Sequence, residues 1–199
     1  MVYYITKNYK GEIKIMKKLL TVVAVLAAIA GSAFAKENFI DLGFVLPQKM
    51  VKFSEVPYRY SGFGGHFAGT TMYSDLIGIQ CGLSMSKETR VSSQGKTAKV
   101  SQNGFDMDTY FGIAIRPVNK NGFNLFITPA VEYGLLLGDS LLMLLGAGCN
   151  VQGTYMFTDN IGLSASSDIG YYFTSFGSET SVSLKMFTVN PKLCLTVKL

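Results

Sequence analysis

His66 is the only histidine in the chain, so any acid–base or nucleophilic catalysis that needs an imidazole must use it. A serine, a histidine and a carboxylate together can carry acyl transfer, as in a lipid-modifying acyl enzyme. Serines lie near His66, but no serine and acid stand at a recognisable spacing from it. The favoured role is therefore a hydrogen-bonded interior histidine. Cys81, Cys149 and Cys194 cannot all pair with one another, and they read as small apolar side chains. No spacing among these residues resembles a metal site, and no cofactor or metal is expected.

The remaining candidates are charges, and their meaning depends on the segments that carry them. In residues 141–157, Met143, Leu145, Ala147, Cys149, Val151, Tyr155 and Phe157 alternate with Gly146, Gly148, Asn150, Gln152 and Thr154. Residues 161–174 repeat the pattern, with Ile161, Leu163, Ala165, Ile169, Tyr171 and Phe173 set against Ser164, Ser166, Asp168, Gly170 and Thr174. Thr158, Asp159 and Asn160 join the two arms. Alternation over a dozen residues exceeds a typical globular strand and suits one tilted across a bilayer, with lipid on one face and a polar lumen on the other.

The same rhythm recurs at about residues 38–46, 63–72, 77–86, 104–117, 123–137 and 189–199. These segments and the central hairpin make eight strands. Asn121-Gly122 supplies the residues that a turn with positive φ requires. Short turns at 73–75, 118–122 and 158–160 fall at one end. Longer connections at 47–62, 87–103 and 175–188, with a short one at 138–140, fall at the other. The expected fold is all-β: a closed antiparallel up-and-down transmembrane β-barrel, because an open sheet edge in hydrocarbon would leave backbone groups unpaired.

The chain has 199 residues, and its first 35 read as separate from this barrel. Lys17 and Lys18, an apolar run over 19–29 and Ala33-Phe34-Ala35 describe a secretory signal peptide over 16–35, cut after Ala35. The apolar run is too short for a comfortable membrane anchor, and no cysteine follows the small residues as a lipoprotein signal would need. Residues 1–15 precede an already complete leader, so translation is expected to start at Met16. Removing residues 1–35 takes away five lysines and one glutamate and lowers the net charge from +5 to +1 over 36–199. The basic balance belongs largely to the leader and gives no argument for nucleic-acid binding.

An eight-stranded barrel has an interior about wide enough for side chains to fill, so inward charges must be paired or hydrated. Residue counts along the strands place Asp168 beside Lys192 and Asp41 beside Lys198, and both are expected as lumen ion pairs. Glu132, Arg116, Asn150 and Gln152 join the same polar filling. Val45, Phe126 and Leu136 face inward among polar neighbours, which motivates an alternative, a narrow channel for small apolar compounds. Lys87, Arg90, Lys96 and Lys99 make 87–103 a basic loop, a candidate contact for an anionic glycan or a host ligand.

Together the leader, the strand rhythm and a final strand that ends the chain resemble the small eight-stranded outer-membrane barrels, of the OmpA/OmpX type or OmpW-like, over about residues 36–199. The resemblance implies residence in the bacterial outer membrane and insertion by its barrel-assembly machinery. It also implies contact with outer-membrane lipid, and a structural or surface-interaction role such as adhesion or membrane integrity. Such barrels usually finish on an aromatic residue, whereas this chain ends on Leu199. A soluble ligand-binding barrel of lipocalin type would need the opposite polarity, apolar within and polar outside.

Overall fold

The structure is a computed structural model that describes residues 35–53, 56–94, 96–99, 105–137, 141–177 and 185–199. Residues 1–34, which include the upstream segment and all but the last residue of the expected leader, lie outside the described residues. Ten strands follow in chain order: β1 (Glu37–Val45), β2 (Gln48–Phe53), β3 (Val56–Met72), β4 (Ile77–Ser93), β5 (Lys96–Lys99), β6 (Phe105–Lys120), β7 (Phe123–Leu137), β8 (Leu141–Met156), β9 (Ile161–Gly177) and β10 (Met186–Lys198).

All pairings are antiparallel, and the contact of β1 with β10 closes the ring. β10 pairs with β1 from Phe39↔Lys198 to Val45↔Lys192 and with β2 from Gln48↔Val189 to Val51↔Met186. β1 and β2 are thus one strand interrupted at Leu46-Pro47, where proline has no amide hydrogen for the ladder. The chain stays attached there, since the Leu46 amide donates to the Pro191 carbonyl at 2.9 Å and the Gly62 amide donates to the Pro47 carbonyl at 3.2 Å. Counted this way the ring has eight strands, with β5 an added arm on β4.

Polarity follows the alternation. Leu145, Ile169 and Leu195 are 37 %, 45 % and 50 % exposed on the outer face, whereas Asn150 and Asp168, of opposite parity, are 2 % and 5 % exposed within. Asn121 and Gly122 adopt φ of 53° and 78°, which matches the twist of a two-residue hairpin between β6 and β7. Cys81 and Cys149 are half-buried, Cys194 is buried, and all three are free thiols.

Two of the expected loops prove to be strand. Residues 47–62 are mostly β2 and the first part of β3, and 87–99 are mostly the upper part of β4 with β5. Their polar composition does not break the ladder, because above the apolar belt a strand needs hydrogen bonds and no hydrocarbon-facing side chains. The hairpins therefore project beyond the belt as a continuous wall. The connections at 138–140 and 178–184 lie outside the described residues.

Candidate functional site

The lumen is the only place where the strands bring a large set of charged and polar side chains together among the described residues, and it is organised in tiers. At the turn end, Phe39, Met72, Ala114 and Phe126 form a buried apolar cluster with Met156 packed against it. Phe39 and Phe126 meet edge to face at 5.5 Å between ring centroids. Below this cluster Glu37 receives both Arg116 and Lys198, the latter at 2.8 Å. Arg116 also donates from Nε to the Asp75 carbonyl at 3.0 Å and from Nη1 to Asn124 Oδ1 at 3.3 Å. At the rim Lys36 reaches Asp75 at 2.6 Å, and that exposed contact holds the Asp75 carboxyl below its ordinary value.

The expected pair of Asp41 with Lys198 does not form. Asp41 stands opposite Thr196, and Lys198 stands opposite Phe39, two residues nearer the rim. Lys198 stands the same two-residue step from Glu37 on its other side, and its ammonium goes to Glu37. Asp41 instead accepts from three neutral donors: Gln152 Nε2 at 2.9 Å, Ser164 Oγ at 3.0 Å and the Thr196 hydroxyl.

Gln80 ties this middle tier together. Its Nε2 donates to Thr70 Oγ1 at 2.9 Å and to Gln152 Oε1 at 2.7 Å, while its Oε1 accepts from Thr128 at 2.8 Å and Asn150 at 3.2 Å. Asn150 also donates to the Tyr110 hydroxyl at 2.7 Å.

Above it the filling becomes ionic. Lys192 pairs with Asp168 and lies over the Tyr110 ring, 4.7 Å from its centroid. Glu132 lies against Gly148 and Gly170, where any larger residue would collide with its carboxylate. Lys49, fully buried, makes salt bridges with Asp106 at 2.9 Å and Asp108 at 3.5 Å, and the Tyr172 hydroxyl donates to Asp108 at 3.1 Å. A second apolar cluster of Val51, Leu144, Tyr172 and Met186 covers this tier, with Tyr60, Leu136 and Leu142 packed against it.

His66 is buried, with Nδ1 2.9 Å from Ser84 Oγ and its ring stacked near Tyr110. Across the sheet the register runs His66, Ser84, Asp108. A nucleophilic relay needs the imidazole between the hydroxyl and the acid, and here the serine occupies the middle position. Among the described residues no group of three or more His, Cys, Asp or Glu side chains is placed to hold a metal ion.

Lys49, Glu37 and Gln80 are central members of this filling that sequence reasoning did not single out. Lys49 carried a usable signal, since Lys49 and Val51 alternate with Gln48 and Met50 and so continue the β1 pattern past Pro47. The four basic residues of 87–99 separate. Lys87 and Arg90 are exposed on β4, Lys99 lies opposite Arg90 in register, and Lys96 pairs with Ser93, one step out of phase with Arg90.

No protein-family model matches the chain, and no curated protein is significantly similar to it. Solved structures are similar in shape. The outer membrane protein OprG of Pseudomonas aeruginosa is 13% identical with a TM-score of 0.57, over 83% of this chain and 96% of that one. Neisserial surface protein A is 11% identical with a TM-score of 0.60, over 81% and 96%. A major outer membrane protein of Thermus thermophilus is 16% identical with a TM-score of 0.51, over 79% and 99%. The fold is that of a small outer-membrane β-barrel. In such a barrel the outward Leu, Ile and Phe side chains meet lipid, and the tiers of the lumen take the place that water fills in wider barrels.

Proposed function

We propose that this barrel resides in the bacterial outer membrane, exported by the leader over 16–35 and inserted by the barrel-assembly machinery. Its turns face the periplasm and the β2–β3 and β4–β5 hairpins face outward. Its role is structural or surface-interacting, with anionic material outside the cell as the partner of its exposed cations, and no catalysis is assigned to His66. The observation that carries this reading is the closure of the polar lumen at both ends by apolar clusters, with Asn150, Gln80, Gln152 and Asp41 hydrogen-bonded in sequence between them. A hydrated ion would have to shed water to pass either cluster, at a cost of several kcal/mol or more.

Planar-bilayer recordings of the reconstituted barrel test this. No stable conductance steps are expected; large, steady steps would overturn the sealed lumen. A narrow passage for small apolar compounds remains as a second reading, favoured by the apolar cluster at the hairpin end, where Val51, Leu136 and Leu144 pack near the barrel mouth. Liposome swelling driven by small apolar solutes, faster with the barrel than without it, would establish that reading instead.

A further inference from the structure

The outer wall just above the apolar belt carries a concentration of positive charge whose position depends on a register shift. Along β3 the outward face runs from Phe67 and Phe63, 51 % and 62 % exposed, to Ser61 and the exposed Arg59. On β4 it runs from Met85 to Lys87, which stands opposite Phe63. Simple alternation from Lys87 would then turn Arg90 into the lumen. The ladder shifts between Ser61 and Gly62, so that Arg90 stands opposite Ser61 while Glu88 stands opposite Gly62, leaving Thr89 as the extra residue of a β-bulge. The Thr89 hydroxyl donates to the Ser61 carbonyl at 3.4 Å, beside the shift. The bulge leaves Arg90 on the same face as Lys87 and Arg59, and Glu88 on the inner face.

We propose that Arg59, Lys87 and Arg90 form a binding site on the outer wall for the phosphate groups of a membrane lipid headgroup. Strand spacing sets neighbouring members about 7–8 Å apart, close enough for two or three of them to share one phosphorylated headgroup. Among the described residues no carboxylate lies on the outer wall at this level: Glu88, Asp106 and Asp108 belong to the inner face. The occupant is a lipid because the patch is continuous with the lipid-facing surface. Phe63 lies directly opposite Lys87, so an acyl chain lying along Phe63 and Phe67 presents its headgroup at the height of the three cations. Arginine adds a planar pair of donors that matches phosphate oxygens.

This inference rests on the outer-membrane reading, and the experiment separates the two. The barrel is refolded in detergent, its folding is scored by the heat-dependent shift in gel mobility, and bound lipid is counted by native mass spectrometry. The probes are bisphosphorylated lipid A and the same lipid with both phosphates removed. The wild-type chain is expected to retain the phosphorylated form at least about tenfold better than the dephosphorylated form, the effect of two or three charge-assisted contacts. The triple variant R59Q/K87Q/R90Q is expected to lose that preference, each single variant part of it, and K120Q at the turn end none. Equal retention of both lipids, or a triple variant that retains lipid A as well as the wild type, overturns the site. Complete displacement by millimolar inorganic phosphate also overturns it, because the patch would then serve a soluble anion. A chain that never forms a barrel in detergent would overturn the outer-membrane reading itself.

Discussion

Asp41 and Asp168 are both buried carboxylates facing the same lumen, yet their surroundings differ in kind. Asp41 is held by an amide and two hydroxyls, and Asp168 by the ammonium of Lys192. Each has a lysine one two-residue step from its cross-strand partner, and the difference lies in which acid that lysine takes. Lys198 stands between Asp41 and Glu37 on β1 and takes Glu37, leaving Asp41 to its neutral donors, whereas Lys192 takes Asp168 from the same offset across β9–β10. Neutral donors each contribute modestly and back one another up, whereas a buried ion pair leaves a full charge behind when one partner is removed. The neutral middle tier should therefore tolerate single substitutions that the ionic tier above it does not.

The largest effect is expected from Lys192→Met, which strands the Asp168 carboxylate and should destabilise the barrel by about 3–5 kcal/mol in urea titrations in phospholipid vesicles. The double variant K192M/D168N should recover most of that loss, since neither charge remains. Gly170→Ala comes next. Its methyl group would collide first with the Glu132 carboxylate, so the variant should lose about 1–3 kcal/mol, and Glu132→Ala in the same chain should restore it. Thr196→Val removes one of the three donors on Asp41 and should cost about 1 kcal/mol by the same titration. Were T196V as damaging as K192M, the contrast between the neutral and ionic tiers would collapse. Lys36→Ala breaks only the exposed contact with Asp75 and should leave the unfolding midpoint unchanged.

Much of this architecture was legible in the sequence because alternation with a period of two is a local signal. It gives the faces of β6 to β9, the Asn121-Gly122 turn and the ring of eight. Polarity followed as well, since the same parity that turns Leu145 and Ile169 outward turns Asn150 and Asp168 inward. What alternation does not contain is register between strands distant in sequence. Counting from strand ends brought Asp168 near Lys192 and Asp41 near Lys198, each to within two residues, but did not show that Glu37 stands equally near Lys198 and takes it. Polar composition was the other source of error. It made 47–62 and 87–103 read as loops, although above the belt only the inward face packs on apolar neighbours, as Val51 and Tyr60 do, and Lys49 was hidden with them. The bulge at Thr89 was not visible either, because it reverses parity without any proline or glycine to mark it.

The central claim is the polarity of the wall, lipid outside and a packed polar filling within. The chain has no tryptophan, so a single one introduced at will reports its own surroundings. Ile169→Trp and Leu195→Trp on the outer face, and Phe126→Trp in the lumen, would be refolded into vesicles of lipids brominated along their acyl chains, which quench indole fluorescence on contact. Strong quenching at positions 169 and 195 with little at 126 is the predicted result. Strong quenching at 126 with little at 169 and 195 would contradict it.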